Sequence, residues 1–237
     1  MSNNSYYVSS PALRASYQQF GLALVANPTT EPTDLPAYRS PDGQVWFGCK
    51  LGQEFGVETV VPSGRFGAII TVDGINTYTG ESSYGDIHRD SGHWVMTPPS
   101  GPGKNILLGW VVPGGDSVAA FTFRKEGESY AARRGFDTAN TGVVGARFWF
   151  ERQDAPVLTR GLGTAYGREI KGRVSSTEFQ HDLSREPVTL VVRYAEESEL
   201  IAAGFIRITP NALPYKANPF PGVSKVTGCP PPPGWPR

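Results

Sequence analysis

Residues 65–80, RFGAIITVDGINTYTG, place two β-rich segments on either side of Asp73-Gly74. Asp-Gly suits a two-residue type I′ hairpin because both residues tolerate positive φ angles. The segment before the dipeptide, 66–72, is a nearly continuous apolar run and predicts a buried strand. The segment after it, 75–79, alternates in character and predicts a strand with one exposed face. The stretch therefore predicts a β-hairpin at the centre of a β-rich chain.

Most of the remaining chain repeats this pattern of short β-rich runs separated by turn residues. Gly 28 and Pro 21 make up about a fifth of the 237 residues, a proportion typical of many turns and short strands. One short helix is predicted at 128–135, where Gly135 follows two basic residues. Helices of 10–15 residues, which a parallel βαβ fold requires, are not visible. Further strands are expected at 44–50, 54–61, 92–97, 105–112, 117–124, 143–151, 188–194 and 201–208.

These patterns predict three segments. Residues 1–43 are expected to form an extended N-terminal arm, because NPTTEPTDLP at 27–36 carries three prolines. Residues 44–208 are expected to form the body, a jelly-roll-like antiparallel β-sandwich in the all-β class. Residues 209–237 include PFPG at 219–222 and CPPPPGWPR at 229–237 and are expected to form an extended, proline-rich C-terminal strap.

Charge and cysteine content limit the classes of partner. The chain has 22 basic and 22 acidic residues, so it has no net field to attract nucleic acid or an anionic membrane. Cys49 and Cys229 form no CxxC motif, which favours free thiols, with a disulfide between them as the alternative. The N-terminal residues lack the apolar core of a Sec signal peptide, and no run of about 20 apolar residues occurs. We expect the protein in a virion or other large particle, or otherwise in the cytoplasm.

The strongest candidate for a metal site is the segment DIHRDSGH at 86–93. If it were a strand, Asp86, His88 and Asp90 would share one face, and a carboxylate–imidazole set is suitable for a transition metal. His93 would point to the opposite face of such a strand, however, and the segment lies between Gly85 and Gly92 as a polar loop would. A solvated loop is therefore the preferred interpretation, and the metal site is the alternative.

The other candidate sites are weaker. Ser91 and His93 lack a third group to orient them, and Cys49 lies in an apolar run that disfavours a thiolate. GLGTAYG at 161–167 matches no phosphate-binding motif and predicts a β-connection. Glu196, Glu197 and Glu199 resemble a charged turn, and His181 beside Asp182 is expected to be exposed. We predict no catalytic residue, no cofactor and no metal.

The aromatic content permits a second function. A row of exposed rings would stack on sugars, although filling the core is the more common role of such residues in a β-sandwich. The five tryptophans are Trp46, Trp94, Trp110, Trp149 and Trp235.

Several motifs together resemble an uncharacterised family of bacterial proteins. The resemblance covers residues 54–222 and implies a β-sandwich fold without assigning an activity or a catalytic residue. The motifs are VDG (72–74), GW (109–110), AAFTF (119–123), SYAA (129–132), GVVG (142–145), Phe148, GTAYG (163–167), RY (193–194), LIAAG (200–204) and NPFPG (218–222).

These observations favour a non-enzymatic structural protein that binds neighbouring subunits through its two ends, as a homo-oligomer or within a larger assembly. The expected setting is a virus or phage particle, in which the protein would be a capsid decoration, cement or minor shell subunit. The alternative is a carbohydrate-binding or adhesion module with a glycan as its partner. We expect neither nucleic acid nor a membrane as a partner.

Overall fold

The computed structural model of the protein describes residues 13–98, 101–113, 117–152 and 178–205. These residues form fourteen β-strands and two short α-helices. The elements are β1 Ala15–Tyr17, β2 Phe20–Ala26, β3 Thr33–Asp34, β4 Ala37–Arg39, β5 Val45–Cys49, β6 Glu54–Val61, β7 Phe66–Val72, β8 Ile75–Asn76, β9 Trp94–Met96, β10 Gly103–Leu107, β11 Gly109–Val111, β12 Val118–Thr122, α1 Tyr130–Arg134, β13 Val143–Phe150, β14 Val188–Glu196 and α2 Glu197–Ala202.

The strands form two sheets, and the predicted all-β sandwich is confirmed. The first sheet has the order β1-β2-β6-β12-β11, with β3 paired to β2 and β10 paired to β6. The second has the order β4-β5-β14-β13-β7-β8, with β9 paired to β7. Both sheets contribute residues to one hydrophobic core. Among the described strands, every pairing is antiparallel except that of β5 with β14, which run parallel. The jelly-roll connectivity stays a prediction.

The Asp73-Gly74 hairpin forms as predicted, with φ angles of 55° and 80° that define a type I′ turn. Strand β7 also has the predicted bounds. The second strand, β8, ends at Asn76 rather than at residue 79. Asn76 and Thr77 are buried and hydrogen-bond to the loop and to β7: Asn76 Nδ2 donates to the Gly92 oxygen at 2.9 Å, and Thr77 Oγ1 donates to the Ile70 oxygen at 3.0 Å.

The prediction of an extended arm over residues 1–43 is wrong for residues 15–39. Strand β2 is buried along its whole length, and Gly21–Ala26 pair with β6 in the first sheet. Strand β4 belongs to the second sheet, so the proline-rich segment connects the two sheets. The prolines restrict only this connection, whereas the apolar residues of β2 bury surface on the core. Residues 1–12 lie outside the described residues.

The two short helices differ in how well the sequence predicted them. Helix α1 is confirmed: Ser129 Oγ accepts from the Ala132 nitrogen at 3.2 Å, and Gly135 ends the helix at φ 73°. The strand predicted at 201–208 is wrong for residues 201–205. Residues 197–202 form α2 instead, because the Glu199 carboxylate accepts from the Glu196 nitrogen at 3.2 Å and caps the first turn.

Strand β6 has the predicted bounds, and the remaining predicted strands are present with changed ends. The run predicted at 105–112 is divided at Leu108, since β10 pairs with β6 and β11 pairs with β12. The strap at 209–237 and the glycine-rich segment at 161–167 lie outside the described residues.

Candidate functional site

The loop that joins β8 to β9 lies on the outer face of the second sheet. Gly67 of β7 permits this close approach, since a Cβ atom there would lie 2.6 Å from Phe179 and 3.1 Å from Ile87. The loop also has an internal polar anchor. Asp90, which is buried, accepts from Ser83 Oγ at 2.6 Å and from the Tyr84 nitrogen at 2.9 Å. Asp90 therefore stabilises the loop.

Residues 86–90 form a helical turn and not a strand. Asp86 Oδ1 accepts from the His88 nitrogen at 2.9 Å, and the Asp86 backbone oxygen accepts from the Asp90 nitrogen at 2.8 Å. Successive side chains therefore point in different directions around the turn, and Asp86, His88 and Asp90 do not share one face. The preferred interpretation of this segment as a loop is confirmed.

A second segment, residues 178–187, leads into β14 and brings His181 to the same face. The Arg152 nitrogen donates to the Gln180 oxygen at 2.7 Å, and the Asp182 nitrogen donates to the Phe150 oxygen at 2.8 Å. These bonds flank an isolated antiparallel bridge that places His181 opposite Glu151, beyond the end of the β13–β14 ladder. The position of His181 is therefore set by backbone pairing.

His181 and His88 are in direct contact, although 93 residues separate them in sequence. Their Nε2 atoms are 2.9 Å apart, and the ring centroids are 4.4 Å apart with an interplanar angle of 70°. The expectation that His181 is exposed is wrong, since it is half-buried. No local sequence signal could have revealed the pair, because it depends on the separate bridge that joins His181 to Glu151.

His93, the remaining histidine of the chain, packs against Phe179 with ring centroids 5.6 Å apart. Burial, followed by the charge of His181, lowers the pKa of His93. Burial and then the charge of His88 lower the pKa of His181, while Asp86 acts in the opposite direction. Both imidazoles are therefore neutral near pH 7, and a neutral imidazole is the form that binds a metal or accepts a proton.

The histidine pair borders an open depression of about 220 Å³. Its floor includes Arg147 and Trp149 of β13. Arg147 Nη1 donates to the Gly85 oxygen at 2.8 Å, and its guanidinium lies 5.5 Å from the centre of the Trp149 ring. Arg185 at the rim lies over the ring of Phe150 at 3.3 Å. The guanidinium groups of Arg147 and Arg185 therefore both contact other residues of the protein.

The nucleophile candidates do not form a catalytic arrangement. Ser91 is exposed, and no hydrogen bond joins it to His93 among the described residues. Cys49 is a buried free thiol that donates to the Ala195 oxygen at 3.1 Å. Burial, with smaller effects from Glu196 and Glu199, raises the pKa of Cys49 to about 12. A thiol with this pKa is a poor nucleophile near pH 7.

We expect Cys49 to react slowly with a thiol reagent such as DTNB in the native protein. The measurement uses a Cys229→Ser variant, so that Cys49 is the only thiol. Labelling near pH 8 should be about tenfold or more slower in buffer than in denaturant, because the thiol must be exposed before it ionises. Equal rates in the two conditions would contradict the burial of Cys49.

The described tryptophans do not form an exposed row. Trp110 stacks on Tyr130 at 4.6 Å, and Trp94 packs edge-on against Tyr78 at 5.3 Å. Trp46 packs on Phe205, and Trp149 is buried. Trp235 lies outside the described residues. An exposed row of tryptophans is therefore not found in the part of the chain that the structure describes, whereas Tyr17 and Tyr84 are exposed, and the glycan hypothesis stays a prediction.

Within ranges 13–98, 101–113, 117–152 and 178–205, no group of three histidine, cysteine, aspartate or glutamate side chains could hold a metal ion. No helix in these ranges has the length and apolar character needed to span a bilayer.

Comparisons of the chain with protein-family models, with curated proteins and with solved structures found no match. The resemblance to an uncharacterised bacterial family therefore stays a prediction.

Proposed function

We propose that the protein is a non-enzymatic assembly protein that binds neighbouring subunits through its chain ends. A virus or phage particle is the proposed setting, with the protein as a capsid decoration, cement or minor shell subunit. One observation carries the non-enzymatic part: the buried carboxylates of the described sandwich, Glu58, Asp73 and Asp90, each contact groups that stabilise the fold.

These contacts involve both sheets. Glu58, whose side chain is 1% exposed in the first sheet, lies 3.1 Å from Arg14 Nη1 and 2.6 Å from Lys104 Nζ. Asp73 Oδ1 accepts from Tyr194 Oη at 2.7 Å. A buried charge without a partner is costly, and these contacts compensate for part of that cost. Together with the contacts of Asp90 and Cys49, they give each of these groups a structural role.

The composition of the C-terminal segment supports the binding part of the proposal. Residues 206–237 contain nine of the 21 prolines and end in CPPPPGWPR. Proline restricts the unbound chain, so an extended proline-rich segment loses little conformational entropy when it binds a partner. Such a segment is suitable for contact with a neighbouring subunit. The core of the described sandwich is built from residues 20–192, which do not include this segment.

The experiment compares the full chain with a truncated chain, residues 13–205. We expect the full chain to assemble into oligomers or to copurify with a large particle, and the truncated chain to remain folded and monomeric. Circular dichroism reports the fold, and light scattering reports the mass. Deletion of residues 1–43 serves as a control that should unfold, because it removes β2 from the core. A folded truncated chain that assembles as well as the full chain would contradict the proposal.

A further inference from the structure

The Nε2 atoms of His88 and His181 lie close enough together for both to bind one ion. The two imidazoles share a single N–H···N bond, whereas a cation between them would accept a lone pair from each ring. For metal–nitrogen bonds of about 2.0–2.1 Å, nitrogens 2.9 Å apart subtend an angle of about 90° at the ion. Tetrahedral geometry needs a separation of about 3.3–3.4 Å, which is a shift of a few tenths of an ångström. His88 is exposed, so its side chain is free to make this adjustment.

The backbone around both ligands is held in place before any ion binds. His88 lies in the helical turn that Asp86 and Asp90 stabilise, and two backbone hydrogen bonds flank the bridge between His181 and Glu151. A ligand pair that is already close loses little entropy on binding, which raises its affinity for an ion.

The charge of the depression also favours a cation. Three acidic residues and two basic residues line it, and both basic side chains have contacts of their own, as described above. The acidic residues are Asp86, Asp182 and Glu186, and the basic residues are Arg147 and Arg185. The acidic excess attracts a divalent ion to the imidazoles.

We propose that His88 and His181 form a binding site for one divalent transition-metal ion of the zinc type, with water in the remaining positions. Imidazole prefers such ions to hard cations such as Mg²⁺. The bound ion would link the β8–β9 loop to the segment that precedes β14 and would stabilise the outer face of the second sheet. The site is independent of the proposed assembly function, since it uses neither chain end.

Isothermal titration of the untagged full chain with ZnCl₂ near neutral pH tests the site. We expect one ion per chain with a Kd on the order of 1–100 µM, because two protein ligands bind more weakly than the four of a structural zinc site. His88→Gln and His181→Gln should each lower the affinity by about tenfold or more. His93→Gln is the matched control and should leave it within about twofold. MgCl₂ should not compete.

Three outcomes would overturn the proposal: no saturable zinc binding, full affinity in both His88→Gln and His181→Gln, or an equal loss in His93→Gln. Thermal unfolding separates these effects from misfolding. Each variant should retain the melting temperature of the wild type without metal, and zinc should raise the melting temperature of the wild type and of His93→Gln only.

Discussion

Replacing Phe148 with alanine is expected to lower the free energy of unfolding by about 3–5 kcal/mol. Phe148 lies on β13, in the second sheet between β14 and β7, and its side chain is fully buried. Its ring is 5.1 Å from that of Phe20, which belongs to the first sheet. Truncation therefore removes packing between the two sheets and leaves a cavity that the rigid strands cannot fill.

Urea denaturation followed by circular dichroism measures this effect. Val191→Ala is the matched control on the neighbouring strand, because Val191 is 47% exposed and its replacement should change stability by about 0.5 kcal/mol or less. If the two variants had equal stability, Phe148 could not lie in the core between the sheets.

Replacing Asp73 with alanine is expected to lower the free energy of unfolding by about 2–4 kcal/mol. Asp73 Oδ1 accepts from Tyr194 Oη at 2.7 Å and from the Gly142 nitrogen at 2.9 Å. Alanine leaves both donors without this acceptor and disfavours the φ angle of 55°. The change therefore disrupts both the hairpin and its attachment to β13 and β14.

The Asp73→Asn variant removes the charge of the side chain but keeps its hydrogen bonds, so it distinguishes their effects on stability. The asparagine oxygen accepts from the same two donors, and Asn-Gly also suits a type I′ turn. Burial raises the pKa of Asp73, and the bonds from Tyr194 and Gly142 only partly oppose this effect. The ionised carboxylate is therefore disfavoured in the folded protein, and asparagine should be at least as stable as aspartate near pH 7.

The sign of the pH dependence follows from the raised pKa. The contribution of Asp73 to stability is fully present below its unfolded pKa of 3.8 and is lost as the pH rises through the folded value. The stability advantage of Asp73→Asn over the wild type should therefore grow as the pH rises from about 3 to 7. If the free energies of unfolding of the wild type and of Asp73→Asn changed equally with pH, this assignment would be contradicted.

The elements that the sequence predicts most accurately are those determined by residues close together in the chain. The Asp73-Gly74 turn depends on the φ angles of two residues, and the bounds of β6 and β7 follow from uninterrupted β-rich runs between turn residues. Helix α1 was predicted because Gly135 and the residues before it form a complete C-terminal signal. These elements need no information from distant parts of the chain.

The errors occurred where distant residues decide the outcome. Strand β2 looked like part of an arm because its apolar run precedes a proline-rich segment, and only its pairing with β6 reveals it as a core strand. The parallel pairing of β5 with β14 and the contact between His88 and His181 likewise join segments far apart in sequence. Such pairings depend on sheet topology and register, which periodicity alone does not encode.

The native mass of the full chain, measured by light scattering after size exclusion, tests the assembly proposal most directly. The proposal predicts a mass that is a multiple of 25.6 kDa, or elution with a much larger particle, and a loss of this state on truncation to residues 13–205. A full chain that stays at 25.6 kDa at every concentration, and that is never recovered with a larger particle, would contradict it.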